Sequence, residues 1–540
     1  MTSAYPYFPA VVLVLLFAYA LFKPRALAKI RGPPSPSFWL GHELELRTQS
    51  DAGDLEYQWY RKYGGAFKVL GCLGEPILYI VDPKALHYVI QAGGYDFPKP
   101  HDMTLELQAL MGRGLAASPA GDIHRRQRKV MTPIFTLPQL RSYLTVFQRL
   151  SNKFIQKHLD DTQGGNQDPI NIALWLPNLT LDTISECAFR FKWGAIEGKE
   201  NVLTPLAATL ASTVYYQPSE FETVYRSIWR HLPVNILDAL HRVYPMRAFR
   251  AAYPFLSKSK ALGRELLQQR ILEPDGSQAR DALNVLARAN QSEDPTRRLD
   301  EDEVLSQIAT LIFAGHETTA ATMTWLLYEL SRHPDQQRRL REEIKEARNK
   351  RGPGNALQLE DLDILPFFNA LIKETLRLHT ITICLPREAG KDDAIPLSES
   401  IMSKSGEYIQ EVHVKKGQRI ILQVSAYQRL PEVWGEDADL WNPERFLDSK
   451  DDSKNKLGLI GNLLTFSGGI RGCIGWRFAV LQIQGVIAEL IQKLEFSLPV
   501  EPIDIVGAPI GLTDVTPMIR GQPEKGTSQL PLRVTAVQDD

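Results

Sequence analysis

Hydrophobic and polar positions change period several times along the chain, and each change marks an element. From Ala4 to Phe22 the residues are uncharged and mostly apolar, close to the ~20 that a spanning helix needs. Lys23, Arg25, Lys29 and Arg31 follow at once, whereas Met1 to Phe8 holds no basic side chain. A signal peptide carries its positive charge before the apolar run. The observed order therefore predicts an uncleaved anchor over residues 1–22, with the N-terminus lumenal and the rest cytosolic. Ala18-Tyr19-Ala20 and Ala26-Leu27-Ala28 resemble cleavage sites and leave a removed signal peptide as the alternative. Residues 23–37 read as a basic, proline-rich hinge, since Arg31-Gly32-Pro33-Pro34-Ser35-Pro36 cannot continue a helix.

Residues 38–540 show no linker or internal repeat and read as one domain, mainly α with a minor β-sheet. Ala66–Leu70 and Pro76–Val81 predict short strands, and a helix is expected from Pro83. Phe97 to Ile123 has mixed polarity, poor periodicity and Gly112, Gly114 and Gly121, the pattern of a surface loop. From Leu140 to Ala287 the pattern is mostly helical, with breaks at Pro218, Pro233 and Pro254. Trp229, Leu232, Ile236 and Leu237 in that stretch suit a core, a membrane-dipping patch or a pocket roof equally. Asp302 to Arg332 runs as one long helix, apolar nearly all round and therefore buried, ended by His333-Pro334. Gly315-His316-Glu317-Thr318-Thr319 in its middle excludes a membrane span. Another amphipathic helix begins after Ile474, with Ile483, Val486, Ile487, Leu490 and Leu494 on one stripe.

Charge and cysteine content narrow the function. The 62 basic and 63 acidic residues leave a net charge of −1, which gives no electrostatic case for nucleic acid. Cys72, Cys187, Cys384 and Cys473 lie far apart, against a structural zinc site or a disulfide framework and in favour of a reducing compartment. Asn178-Leu179-Thr180 and Asn290-Gln291-Ser292 match the glycosylation pattern, which a cytosolic domain would leave unused.

Three clusters carry candidate chemistry. In Phe466-Ser467-Gly468-Gly469-Ile470-Arg471-Gly472-Cys473-Ile474-Gly475, glycines let backbone approach something flat, and loop N–H groups and a helix N-terminus favour a thiolate. A buried cysteine in a turn is the plainer reading. Gly315 costs ~1 kcal/mol against alanine in a helix. It shares a face with Thr318, whose hydroxyl can bond back to an earlier carbonyl and open a polar notch. Glu374 and Arg377 stand one helical turn apart, a spacing more often seen in surface salt bridges.

Phe466-x-x-Gly469-x-Arg471-x-Cys473-x-Gly475, Ala314-Gly315-His316-Glu317-Thr318-Thr319, and Glu374-x-x-Arg377 followed by Trp441-Asn442-Pro443-Glu444-Arg445-Phe446 together resemble the haem-thiolate monooxygenases of the cytochrome P450 superfamily, over roughly residues 30–535. The resemblance implies haem b as cofactor, with Cys473 as the axial ligand of its iron. It implies a cofactor-binding set of Phe466, Gly469, Gly475, Arg471, Arg128, Arg387 and His124. The arginines would meet haem propionates, and His124 stands where tryptophan is common. It implies that Thr318 hydrogen-bonds the dioxygen under reduction while Glu317 relays protons. Glu374, Arg377 and Arg445 would form a buried structural network. Residues 97–123 would be a mobile cover over the pocket, and the turn at Ala508–Leu512 would face substrate. Thr380, where the family often has proline, departs from the pattern.

The implied activity is oxygen insertion into an apolar small molecule, with electrons from NADPH–cytochrome P450 reductase, assisted by cytochrome b5. The implied location is the endoplasmic reticulum membrane. A haem-thiolate isomerase or dehydratase is the alternative, and a non-catalytic haem sensor a third. Ala314 to Ala320 and Trp434-Gly435-Glu436-Asp437-Ala438 resemble fungal members, which suggests a terpenoid or polyketide substrate of secondary metabolism.

Overall fold

The computed structural model describes residues 27–162, 168–199, 219–229, 232, 247–272, 281–352, 354–447, 457–522 and 528–537. The expected anchor over residues 1–22 lies outside them. Among the described residues no helix is long and apolar enough to cross a membrane.

The strands, in chain order, are β1 (Ala66–Leu70), β2 (Pro76–Ile80), β3 (Ile170–Asn171), β4 (Cys384–Glu388), β5 (Asp393–Met402), β6 (Tyr408–Val414), β7 (Arg419–Gln423), β8 (Leu494–Ser497), β9 (Ile505–Ile510), β10 (Asp514–Ile519) and β11 (Pro531–Ala536). β1 and β2 form where short strands are predicted. They join a four-stranded sheet in the order β1-β2-β7-β4, with β2 and β7 parallel and the other pairs antiparallel. β5 pairs with β6 and β9 with β10, and β11 lies between β3 and β8.

The helices that frame the site are α1 (Asp54–Tyr63), α2 (His101–Met111), α3 (Asp122–Met131), α4 (Leu137–Thr162), α5 (Ile172–Phe189), α6 (Glu220–Trp229), α7 (Arg247–Leu272), α8 (Ala282–Gln291), α9 (Glu301–Arg332), α10 (Pro334–Arg351), α11 (Pro366–Leu378) and α12 (Trp476–Lys493). α9 starts on a capping box: Asp300 accepts from Glu303 N at 2.7 Å, and Glu303 accepts from Asp300 N at 3.1 Å. Glu303 also binds Arg126 (2.6 Å) and Gln127 (3.1 Å), which ties α3 to the start of α9.

Two sequence expectations change. α2 occupies the stretch read as a loop. It lacks a strong apolar stripe and is held by ion pairs, Asp102 with Arg419 of β7 and Glu106 with Arg226 of α6. Leu232 packs against its Ala109, so that residue belongs to a small satellite core. The side chain of Trp229, and Ile236 and Leu237, lie outside the described residues, as do Pro218 and Pro233. Pro254 sits inside α7 instead of ending it, since burial of Ala252 and Phe255 on either side anchors the helix.

Two cores result. The larger lies among α4, α5, α9, α11 and α12, and the smaller beneath the four-stranded sheet. The segment Phe466–Gly475 leads from β7's side of the molecule into α12, and so sits where both cores meet.

Candidate active site

Gly469 has φ +58°, and a Cβ there would stand 2.2 Å from Ile90 O, so the loop lies flush on the turn at residues 88–92. Cys473 N donates to Phe466 O (2.9 Å) and Gly472 N to Gly469 O (3.1 Å). These bonds fold the loop back and present Cys473 just ahead of α12, whose N-cap is Gly475. Phe466 packs on the larger core. From the other side Arg128 Nη1 donates to Gly472 O at 2.7 Å. Cys473 keeps accessible surface although protein surrounds it; both hold if the side chain faces an internal cleft and not bulk water. Burial pushes its thiol up, against the Gly475 N–H and the Arg128 charge, which pull it down. A cation on the sulfur would oppose that rise and favour the thiolate.

Near Cys473, among the described residues, basic groups gather without carboxylate partners. Arg387 is 6 % exposed and makes one bond, to Pro386 O at 2.8 Å. Burial first and Arg471 second lower it to about 10. Arg471 Nη1 donates to Ser118 O (3.2 Å), while its buried Nε and Nη2 have no partner. His124 shares a hydrogen bond with Tyr95 Oη at 2.8 Å. Burial, then Arg471, Arg128 and Lys99, push it down to about 3, so its ring is neutral and can donate or accept. Lys99, bonded to Ala116 O, is lowered to about 7 by burial and by Arg387 and Arg471. Among the described residues neither these four groups nor Arg128 forms an ion pair. Like charges brought together in a low dielectric are costly unless an anion joins them. The donor set therefore fits a cofactor that brings two carboxylates to this wall and a metal to Cys473, as haem does.

On α9, Ala314 and Thr318 stand four residues apart and are exposed midway along a helix that is otherwise largely buried. Thr318 Oγ1 donates to Ala314 O at 2.9 Å, the back-bond expected of a threonine at a notch. Gly315 serves a different purpose from the one its spacing suggests. A Cβ there would meet Ile184 Cγ1 of α5 at 2.8 Å, so the glycine lets α5 close on α9. Glu317, next to Thr318, has its carboxylate 3.2 Å from His316 Nε2.

Behind the loop, Arg377 and Glu374 are completely buried and joined by two bonds of 2.7 and 2.8 Å. Arg377 also donates to the carbonyls of Gln428, Ala438 and Leu440. Arg445 Nε reaches both Glu374 oxygens at 3.2 Å and pairs with Asp437 at 2.9 Å. The three residues picked out by spacing thus come together, away from the cleft.

Three neighbours were not singled out by the sequence. Lys99 had a weak signal, being fixed between Pro98 and Pro100. Tyr95 had none. Gln428 donates to Leu376 O and Arg377 O and accepts from Leu464 N and Thr465 Oγ1, which couples the end of α11 to the approach of the Cys473 loop.

A long buried helix with a threonine notch, together with a cysteine loop beside unpaired arginines, suits a haem-thiolate enzyme, and comparison with known proteins agrees. The family model described as Cytochrome P450 matches residues 31–518, and the chain belongs to that family of haem-thiolate monooxygenases. It is 32 % identical to cytochrome P450 monooxygenase 128 of Postia placenta, over 94 % of this chain and 92 % of the relative. Cytochrome P450 monooxygenase 91 of the same fungus is 30 % identical, over 95 % and 94 %. Cytochrome P450 monooxygenase claW of Ampulloclitocybe clavipes is 29 % identical over 91 % of each chain.

Proposed function

We propose that this chain uses haem b to insert one oxygen atom of O2 into an apolar small molecule, with electrons from NADPH through a separate reductase and with cytochrome b5 as a second donor. The observation that carries the cofactor reading is the unpaired basic wall beside Cys473. When bound, haem supplies oxygen activation, and thiolate ligation favours O–O cleavage. Cys473 would hold the iron. Arg128, Arg387, Arg471, His124 and Lys99 would bind the propionates, with Gly469 and Gly475 keeping the loop close to the ring.

The chain's own part in the chemistry is proton delivery in a cleft that excludes bulk water. Thr318 turns its hydroxyl between Ala314 O and the cleft, and the Glu317 carboxyl one residue earlier replenishes the proton it passes on. Arg125 and Lys129 stay exposed on α3 and suit the acidic surface of an electron donor. The similarity to fungal enzymes supports a secondary metabolite of terpenoid or polyketide type as substrate. The apolar run over residues 4–22 supports anchoring in the endoplasmic reticulum with the domain in the cytosol.

Thr318→Ala tests the reading through product formed per NADPH consumed. Coupling is expected to fall about tenfold or more, since a positioned proton donor is worth ~10²–10⁴-fold. Substrate binding and reduction stay intact, and the lost electrons appear as peroxide or superoxide. Unchanged coupling would overturn monooxygenation by this route and favour an isomerase.

A further inference from the structure

His316 lies in the middle of α9 with 3 % of its surface exposed, and neither the notch nor the basic wall uses it. Its Nδ1 is 2.7 Å from Ile312 O, one turn back. A carbonyl only accepts, so Nδ1 carries a hydrogen and Nε2 is the nitrogen that titrates. Nε2 lies 3.2 Å from Glu317 Oε1. A lone pair and a carboxylate repel at that distance, whereas a protonated Nε2 and a carboxylate attract, so the carboxylate favours a proton on Nε2.

Among the described residues no second titratable group acts on this pair. Burial and His316 alone act on the Glu317 carboxyl, and on His316 act burial, Glu317 and the backbone at Ile312 and Phe313. The elements packed on α9 turn their charges elsewhere. On α5, Asp182 binds the N–H groups of Ala195 and Ile196, and Glu186 binds Arg149. On α7, Lys260 and Arg264 bind Asp302 and Glu301 in the first turn of α9. Glu374 and Arg377 of α11 bind each other, and Glu489 of α12 binds Arg348. Burial disfavours both charges, yet the pairing holds His316 above its ordinary value and Glu317 below its own.

We propose that His316 is the positioning residue that stores the proton Glu317 hands toward Thr318. The Nε2–H bond breaks as an O–H bond forms on Glu317 Oε1. The ion pair becomes a neutral imidazole and a neutral carboxyl, and a proton from solvent restores the imidazolium after Glu317 has passed its own on. His316 never faces the cleft; it acts through Glu317. The proposal rests on the reading of Thr318 and Glu317 as the proton path.

The test measures coupling against pH in the haem-loaded full chain, for the native enzyme and for His316→Phe, His316→Gln and Glu317→Gln. Native coupling should decline as pH rises and His316 loses its proton. Both His316 variants should lose coupling at a pH lower by about one unit or more, the ordinary spread of such groups in proteins. Their substrate-binding spectra should match the native one. Glutamine keeps an N–H donor for Oε1 and cannot store a proton, so it separates storage from placement. A native pH profile in the glutamine variant overturns storage, and native profiles in both variants make His316 a bystander. Full coupling in Glu317→Gln would instead reject the proton path itself, and the proposal with it. Impaired Glu317→Gln alongside unaffected His316 variants would reject His316 alone.

Discussion

A methyl group at Gly469 would meet Ile90 O at 2.2 Å from a backbone held at φ +58°, whereas at Gly475 the nearest protein atom to such a methyl is 3.6 Å away, on Phe135. Two glycines of one loop are thus kept for different reasons. Gly469→Ala should destabilise the haem-free fold by ~1–3 kcal/mol, the range for strained backbone. Gly475→Ala should leave haem-free stability unchanged and weaken haem binding, because only the cofactor would crowd it. Denaturant unfolding of the haem-free protein, set beside a haem titration, separates the two. At this scale the loop was legible in the sequence because its members are neighbours in the chain. Tyr95, Lys99 and Gln428 were not, because each acquires its part only through a partner far away: His124, Arg387 and Leu464.

At the scale of elements, α9 was legible in both extent and burial, since thirty-odd residues of apolar periodicity leave one interpretation. The purpose of Gly315 was hidden, because Ile184 lies on another helix and no spacing within α9 reports it. Gly315→Ala should destabilise by ~1–3 kcal/mol through overpacking. Ile184→Ala should recover part of that loss, a non-additivity expected of residues in contact and read from the thermal midpoints of the double-mutant set. The loop assignment for α2 failed for a related reason: charges borrowed from β7 and α6 hold the helix in place of a stripe of its own. By spacing alone Glu374 and Arg377 read as a surface pair; the family resemblance implied a buried network, and the fold shows both without solvent. Arg377→Ala should therefore cost ~3–5 kcal/mol by stranding a buried carboxylate, with haem content falling alongside.

For the whole molecule, the unpaired basic wall makes stability depend on pH in a way that the cofactor should reverse. Burial, Arg387 and Arg471 hold Lys99 at about 7 against an ordinary 10.5. Between those values the unfolded chain keeps the Lys99 proton and the folded chain has released it. Raising pH through that window stabilises the haem-free fold. His124, held at about 3 against 6.5 chiefly by burial, acts with the same sign: stability falls as pH drops from 6.5 toward 3. Carboxylates against the wall would return the proton to Lys99. The alkaline gain should appear in thermal scans of the haem-free protein and vanish in the loaded one.

The sheet order β1-β2-β7-β4 also sets a clock on synthesis. β2 is buried along its whole length, yet Leu78 finds its partner only when Ile420 leaves the ribosome. At about 5–20 residues per second that wait is on the order of tens of seconds. Through it an apolar hairpin has one edge unpaired, and such an edge recruits other chains. Cys473 emerges later still, so the nascent protein meets its aggregation hazard before haem can bind to help it.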